Sequence, residues 1–184
     1  MKQTMSGILL VILLALPPVV QWMESIMIVH MLVQMPLLIT AGFLIGKVFI
    51  QKWSSFLNIW NGNGIPGILV AVFITTYWML PRTMDEALTI EYIEWFKFIS
   101  LPITGFLIRD SWVKLQEIGK GFLYLNYLSM FALMAWLYID APIQVCNNYL
   151  EIEQKMLGWG LLFITFVMIV YIIQFVFTDH SEGA

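Results

Sequence analysis

The length of its apolar runs is the feature that most constrains how this chain folds. Apolar residues make up 60% of the 184 residues and charged residues only 11%, and short polar segments separate apolar runs of about 20 residues. A soluble fold would expose much of this surface to water, whereas in a lipid bilayer the same surface contacts hydrocarbon. The sequence therefore predicts an all-α, polytopic transmembrane helix bundle, with residues 1–184 as a single integral-membrane domain.

Six membrane-spanning helices are predicted from hydropathy. They lie at Met5–Val20, Ser25–Ile50, Ile65–Leu80, Glu91–Ile108, Phe122–Ile139 and Met156–Phe177. The first apolar run lacks a small-x-small cleavage site, so we expect an uncleaved span rather than a signal peptide. Pro36 and Pro102 fall inside predicted spans, where each removes one backbone hydrogen bond. The polar and aromatic segment 51–64 is predicted to be a loop at the membrane interface.

The distribution of basic residues predicts the orientation. With six spans, the side of the N-terminus carries Lys2, Lys47, Lys52, Arg109, Lys114 and Lys120, and the opposite side carries only Arg82 and Lys155. Since basic residues favour the cytoplasmic side, we expect both termini in the cytoplasm and a bacterial or archaeal plasma membrane. The net charge is −3, and the lack of a basic stripe argues against a nucleic-acid partner.

The candidate functional residues lie near the outer end of the second predicted span. His30 and Gln34 are four residues apart and share one helix face, and Met31 is adjacent to His30. An imidazole inside a span is costly and by default marks a functional site. Imidazole and thioether groups are also suitable ligands for Cu(I). Methionines recur every four residues here, a spacing more often due to packing than to metal binding, at Met23, Met27, Met31 and Met35.

Several short motifs resemble the CtaG-like family of membrane proteins, which is linked to cytochrome c oxidase assembly and copper supply. His30-Met31-Leu32-Val33-Gln34 resembles the family's His-Met-x-x-His motif, and Trp78-Met79-Leu80-Pro81 resembles its Trp-His-x-Pro motif. Asp85-Glu86-Ala87-Leu88 is similar to its Asp-x-Ala-Leu-like stretch, and the segment 153–160 is similar to its Asp-Gln-x-x-Gly-Gly entry to a late span. The resemblance implies a helical scaffold that works in assembly or copper supply.

Two histidines of the family's motifs are replaced in this chain, by Gln34 and by Met79. The resemblance then implies a reduced set of metal ligands, His30, Met31 and Met79, which suits Cu(I) rather than Cu(II). Two alternatives follow. The chain either has a retuned Cu(I) site or keeps the scaffold without the metal.

The fourth predicted span carries charged residues on one face. Glu91, Glu94 and Lys97 are spaced by three residues, so they lie along the same side of a helix. A pair between Glu94 and Lys97 would neutralise both charges and make insertion tolerable. A proton relay or ligand site is the alternative, and it requires these groups to face His30.

Three functions are compatible with these residues. The first is a non-catalytic accessory or assembly subunit of a copper-containing respiratory oxidase or monooxygenase, which contacts other subunits through close-approach residues at Gly42, Gly46 and Gly105. The second is a Cu(I)-handling protein that delivers copper at the outer face. The third, a quinone- or haem-associated subunit, is weaker because the second histidine, His180, lies in the tail.

No nucleophile elbow or phosphate-binding loop is present, so we expect no enzyme activity. The single cysteine, Cys146, excludes an internal disulfide.

Overall fold

A computed structural model describes residues 2–141 and 144–179, and within them the chain is helical without strands. In chain order the helices are α1 Lys2–Leu14, α2 Pro17–Glu24, α3 Met27–Val29, a π-helical turn at His30–Gln34, α4 Met35–Lys52, α5 Ser54–Trp60, α6 Ile65–Met79, α7 Pro81–Thr89, α8 Glu91–Lys114, α9 Glu117–Asp140 and α10 Glu151–Asp179. The all-α class predicted from hydropathy is confirmed. Met1 and residues 180–184 lie outside the described residues, and with them both chain ends and His180.

The predicted number of spans is supported only in part. In the described part of the chain three helical segments are long and apolar enough to cross a membrane, namely Met27–Lys52, Glu117–Asp140 and Glu151–Phe175. The number rises to five if each of two sharply bent helix pairs is one span. A membrane protein with three to five such segments is therefore supported, and six spans are not confirmed.

The first predicted span, Met5–Val20, is wrong as a continuous helix. Helix α1 ends at Leu14, and α2 begins at Pro17 with its axis turned by 71°. Leu16, which precedes the two prolines, has the extended backbone (φ −68°, ψ 128°) that a following proline favours. Pro17 and Pro18 then occupy the first turn of α2, where a missing N–H costs no hydrogen bond.

Helix α8 covers the fourth predicted span, Glu91–Ile108, and continues to Lys114. It carries more charge than the three apolar segments, because every 18-residue stretch of it contains at least three charged residues. The helix nevertheless packs between α4 and α6. Its charged residues therefore need partners inside the bundle.

Glycines allow α4 and α8 to approach closely. A Cβ atom at Gly42 would overlap the backbone of Pro102, and a Cβ atom at Gly105 would overlap the carbonyl of Ile39. Gly46 lies against Phe106 in the same interface. These glycines therefore pack helices of one chain together, so their predicted role in contacts with other subunits loses its support.

The segment 51–64 is not a plain loop, because it contains helix α5. This helix meets α6 at an angle of 84°. The buried Asn61 holds the bend: its amide nitrogen donates to Asp110 Oδ2 at 2.7 Å and to Ser111 Oγ at 3.0 Å, and its oxygen accepts from the Gly67 N–H at 2.8 Å.

The bundle has two ends, which we call the His30 end and the Lys114 end. Helices α4 and α8 run parallel, since Gly42 faces Pro102 and Gly46 faces Phe106 further along. Both therefore run from the His30 end to the Lys114 end. Seven of the eight tryptophans are exposed, as in the aromatic belts of membrane proteins: Trp22, Trp95, Trp136 and Trp159 towards the His30 end, and Trp53, Trp60 and Trp112 towards the Lys114 end.

Candidate functional site

The candidate site is built around the π-helical turn His30–Gln34. Pro36 follows this turn after one intervening residue, Met35, and its missing N–H leaves the carbonyl of Leu32 without its usual helical donor. Such π-helical turns often occur at functional sites. The turn buries the side chains of His30, Met31 and Gln34 inside the bundle.

Both ring nitrogens of His30 have hydrogen-bond partners. Nδ1 lies 2.8 Å from the hydroxyl of Tyr149, and that hydroxyl donates to the backbone carbonyl of Glu24 at 2.8 Å. Because the tyrosine proton is used on Glu24, the ring must donate from Nδ1, which leaves a lone pair on Nε2. Lys97 Nζ lies 3.4 Å from Nε2 and donates to it.

Lys97 is fully buried and forms an ion pair with the carboxylate of Glu24. The contact partner is therefore Glu24 of α2, 73 residues away, rather than the predicted Glu94, although the charge of Glu94 also acts on Lys97. A buried ammonium is tolerated only with a compensating charge, and α2 supplies it. Lys97 does face His30, as the relay alternative requires.

Tyr149 belongs to the connection 144–150, and hydrogen bonds with Asp85 and Gln154 hold this connection in place. The carboxylate of Asp85 accepts from the Asn147 N–H at 2.6 Å, and Gln154 Oε1 accepts from the Val145 N–H at 2.9 Å. Burial raises the pKa of the tyrosine hydroxyl above its ordinary value, with Glu24 as the next cause. The hydroxyl therefore stays protonated and remains a donor.

Sequence reasoning missed Tyr149 and Glu24 as partners in this network. The motifs that contain Asp85 and Gln154 were the sequence features that could have pointed to Tyr149. Asp85 and Gln154, both in motifs that carry the family resemblance, hold the connection that contains Tyr149. The thiol of Cys146 also contacts the carbonyl of Pro81 at 3.8 Å, the last residue of a third motif. Motifs that are far apart in the sequence thus meet at the His30 end.

Gln34 lies at the position of the second histidine in the motif that this segment resembles, and it is fully buried. Neither its amide nitrogen nor its amide oxygen has a hydrogen-bond partner among the described residues. Each such buried polar group costs about 1–3 kcal/mol. The site therefore contains one unsatisfied amide beside a paired histidine.

Met31 and Met79 line a cavity that His30 does not line. Both line a partly open cavity of about 430 Å³ between α4, α6, α8, α9 and α10, and His30 is not among the lining residues. The three predicted copper ligands thus do not share one cavity, and both ring nitrogens of His30 are already hydrogen-bonded. Nothing in the described residues brings His30, Met31 and Met79 together around one point, and copper binding by these residues stays a prediction.

Within 2–141 and 144–179, no group of three or more His, Cys, Asp or Glu side chains is placed to hold a metal ion. Comparisons with protein-family models, with curated proteins and with solved structures find no match. The resemblance to the CtaG-like family therefore rests on the short motifs and stays a prediction.

Proposed function

We propose that this chain is a non-catalytic accessory or assembly subunit of a larger membrane complex, in which His30 stabilises the fold rather than carries copper. The observation that supports this role is the pairing of His30 inside the chain. Its Nδ1–H donates to Tyr149 and its Nε2 accepts from Lys97. A metal at either nitrogen would have to displace a buried partner.

The same network joins parts of the chain that are remote in sequence. Glu24 from α2, His30 from the π-helical turn, Lys97 from α8 and Tyr149 from the connection 144–150 are linked in one chain of contacts. Buried polar networks with paired members rigidify the structure around them. A subunit that has no catalytic site can bind its partner through such a rigid surface.

The resemblance to the CtaG-like family suggests the client, a copper-containing respiratory oxidase or monooxygenase. The His30 end also carries most of the acidic residues, namely Glu24, Asp85, Glu86, Glu91, Glu94, Asp140, Glu151 and Glu153. We propose that this end faces outward and binds a partner subunit there.

A second function, Cu(I) handling, is favoured by a separate observation. Five methionines, Met31, Met35, Met79, Met130 and Met168, line the same cavity. Thioether sulfurs are soft ligands that select Cu(I). In this version of the copper hypothesis the methionines bind the ion without His30.

Two measurements on the full chain test these proposals. An accessory subunit should purify from native membranes in mild detergent together with other membrane subunits, and recovery as a lone protein would contradict that role. Copper content after loading with Cu(I) should be equally low in wild type, in His30→Ala and in the double variant Met31→Leu, Met79→Leu. Copper lost only in the methionine variant would favour the second function, and copper lost in His30→Ala would overturn the structural role of His30.

A further inference from the structure

The apolar cavity has a shape that points to a ligand. It separates the α9–α10 pair from α4, α6 and α8, and it extends along α9 from Lys120 to Phe131. These residues are eleven positions apart, which corresponds to about 16 Å of helix. The hydrocarbon core of a bilayer is about 30 Å thick, so the cavity is as deep as one leaflet.

One end of the cavity carries a positive charge. Lys120 lies near the start of α9 and Trp112 near the end of α8, so both mark the Lys114 end. The ammonium of Lys120 lies 5.7 Å from the Trp112 ring. Its ion pair with Glu117 involves a carboxylate that is 85% exposed, and such surface pairs contribute little. Lys120 is therefore available to an anionic group at the mouth.

The deeper wall offers apolar surface and few free hydrogen-bonding groups. The hydroxyl of Tyr127 is hydrogen-bonded to Thr75 at 2.9 Å, and the hydroxyl of Tyr124 donates to the Met168 carbonyl at 3.0 Å. The volume of about 430 Å³ lies within the usual range for ligand sites. This wall suits a hydrocarbon chain better than a ring with polar substituents.

We propose that the cavity binds one acyl chain of an anionic phospholipid, whose phosphate lies at Lys120 at the Lys114 end. The charge at the mouth, the depth of one leaflet and the apolar wall each match one part of such a lipid. Lipid binding is independent of the accessory role, because it is measured on the isolated protein.

The first test fills the cavity. The full chain, purified in mild detergent and incubated with phosphatidylglycerol, should retain one lipid per chain in native mass spectrometry. Ile164→Trp places an indole in the cavity and should abolish retention. Leu162→Trp is the matched control, because Leu162 lies on the same helix and is 41% exposed. Equal retention by both variants would overturn the proposal.

The second test removes the charge. Lys120→Gln should weaken phosphatidylglycerol binding about five-fold, whereas phosphatidylcholine, whose choline offsets the charge of its phosphate, should lose clearly less affinity. Lys155→Gln is the control, since Lys155 also forms an exposed ion pair, with Glu151, but does not line the cavity. Equal effects of the two lysine variants, or an isoprenoid quinone as the co-purified occupant, would refute the assignment.

Discussion

The structural role of His30 makes Tyr149→Phe the most informative substitution. The change keeps the aromatic ring and removes only the hydroxyl, which accepts from His30 and donates to the Glu24 carbonyl. Tyr149 itself is 3% exposed, so little water is present to replace the lost contacts. We therefore expect the folded state to lose stability without a change of fold.

The size of this loss of stability follows from the two groups that Tyr149→Phe leaves without a partner, the His30 Nδ1–H and the Glu24 carbonyl. An unsatisfied buried polar group costs about 1–3 kcal/mol, whereas hydrogen bonds between membrane helices average about 0.6 kcal/mol. We expect a loss of about 2 kcal/mol, since His30 is fully buried and its Nδ1–H donates to the hydroxyl that the substitution removes. For a chain of this size that corresponds to a decrease in Tm of about 4–8 °C.

Thermal unfolding of the purified protein in detergent measures this effect. Tyr92→Phe is the matched control, because Tyr92 lies on α8 at the same end of the bundle and is 73% exposed. Its Tm should change by no more than about 2 °C. Equal small shifts for both variants would refute the structural role of the network. In a double variant with His30→Ala the losses should be less than additive, because both changes remove the same contact.

Two further predictions concern packing and the thiol. Gly105→Ala should destabilise the protein by about 1–3 kcal/mol, because the new methyl group overlaps the Ile39 carbonyl. Gly121→Ala is the control: its new methyl group meets no atom within 4 Å, so the change should be neutral or stabilising by up to about 1 kcal/mol. Equal effects of the two variants in thermal unfolding would contradict the close approach of α4 and α8. Burial, with the charge of Asp85, raises the pKa of Cys146 to about 12 from an ordinary value of 9.0, so a maleimide at pH 8 should label the folded protein far more slowly than the unfolded one. Because only the unfolded thiol ionises between these values, the contribution of Cys146 to stability is full below pH 9.0 and declines as the pH rises towards 12.

Hydropathy alone predicted the long apolar helices well. The predicted span Phe122–Ile139 lies within α9, Glu117–Asp140, and the predicted span Ser25–Ile50 overlaps the helical segment Met27–Lys52 almost completely. An apolar run of spanning length is a local property of consecutive residues. The same reasoning predicted neither the bend at Leu16 nor helix α5, because hydropathy reports how apolar a segment is and not where its backbone bends.

The candidate site shows what only the tertiary structure decided. The sequence by itself determined that His30 and Lys97 are costly inside an apolar bundle and need partners, because desolvation depends on residue type and on the apolar surroundings. Spacing along the helix indicated Glu94 as the partner of Lys97, yet the partner is Glu24, 73 residues away. His30 pairs with Tyr149 across 119 residues. These partners depend on how α2 and the connection 144–150 fold over the end of the bundle, and contacts between residues so distant in sequence arise only when the helices pack.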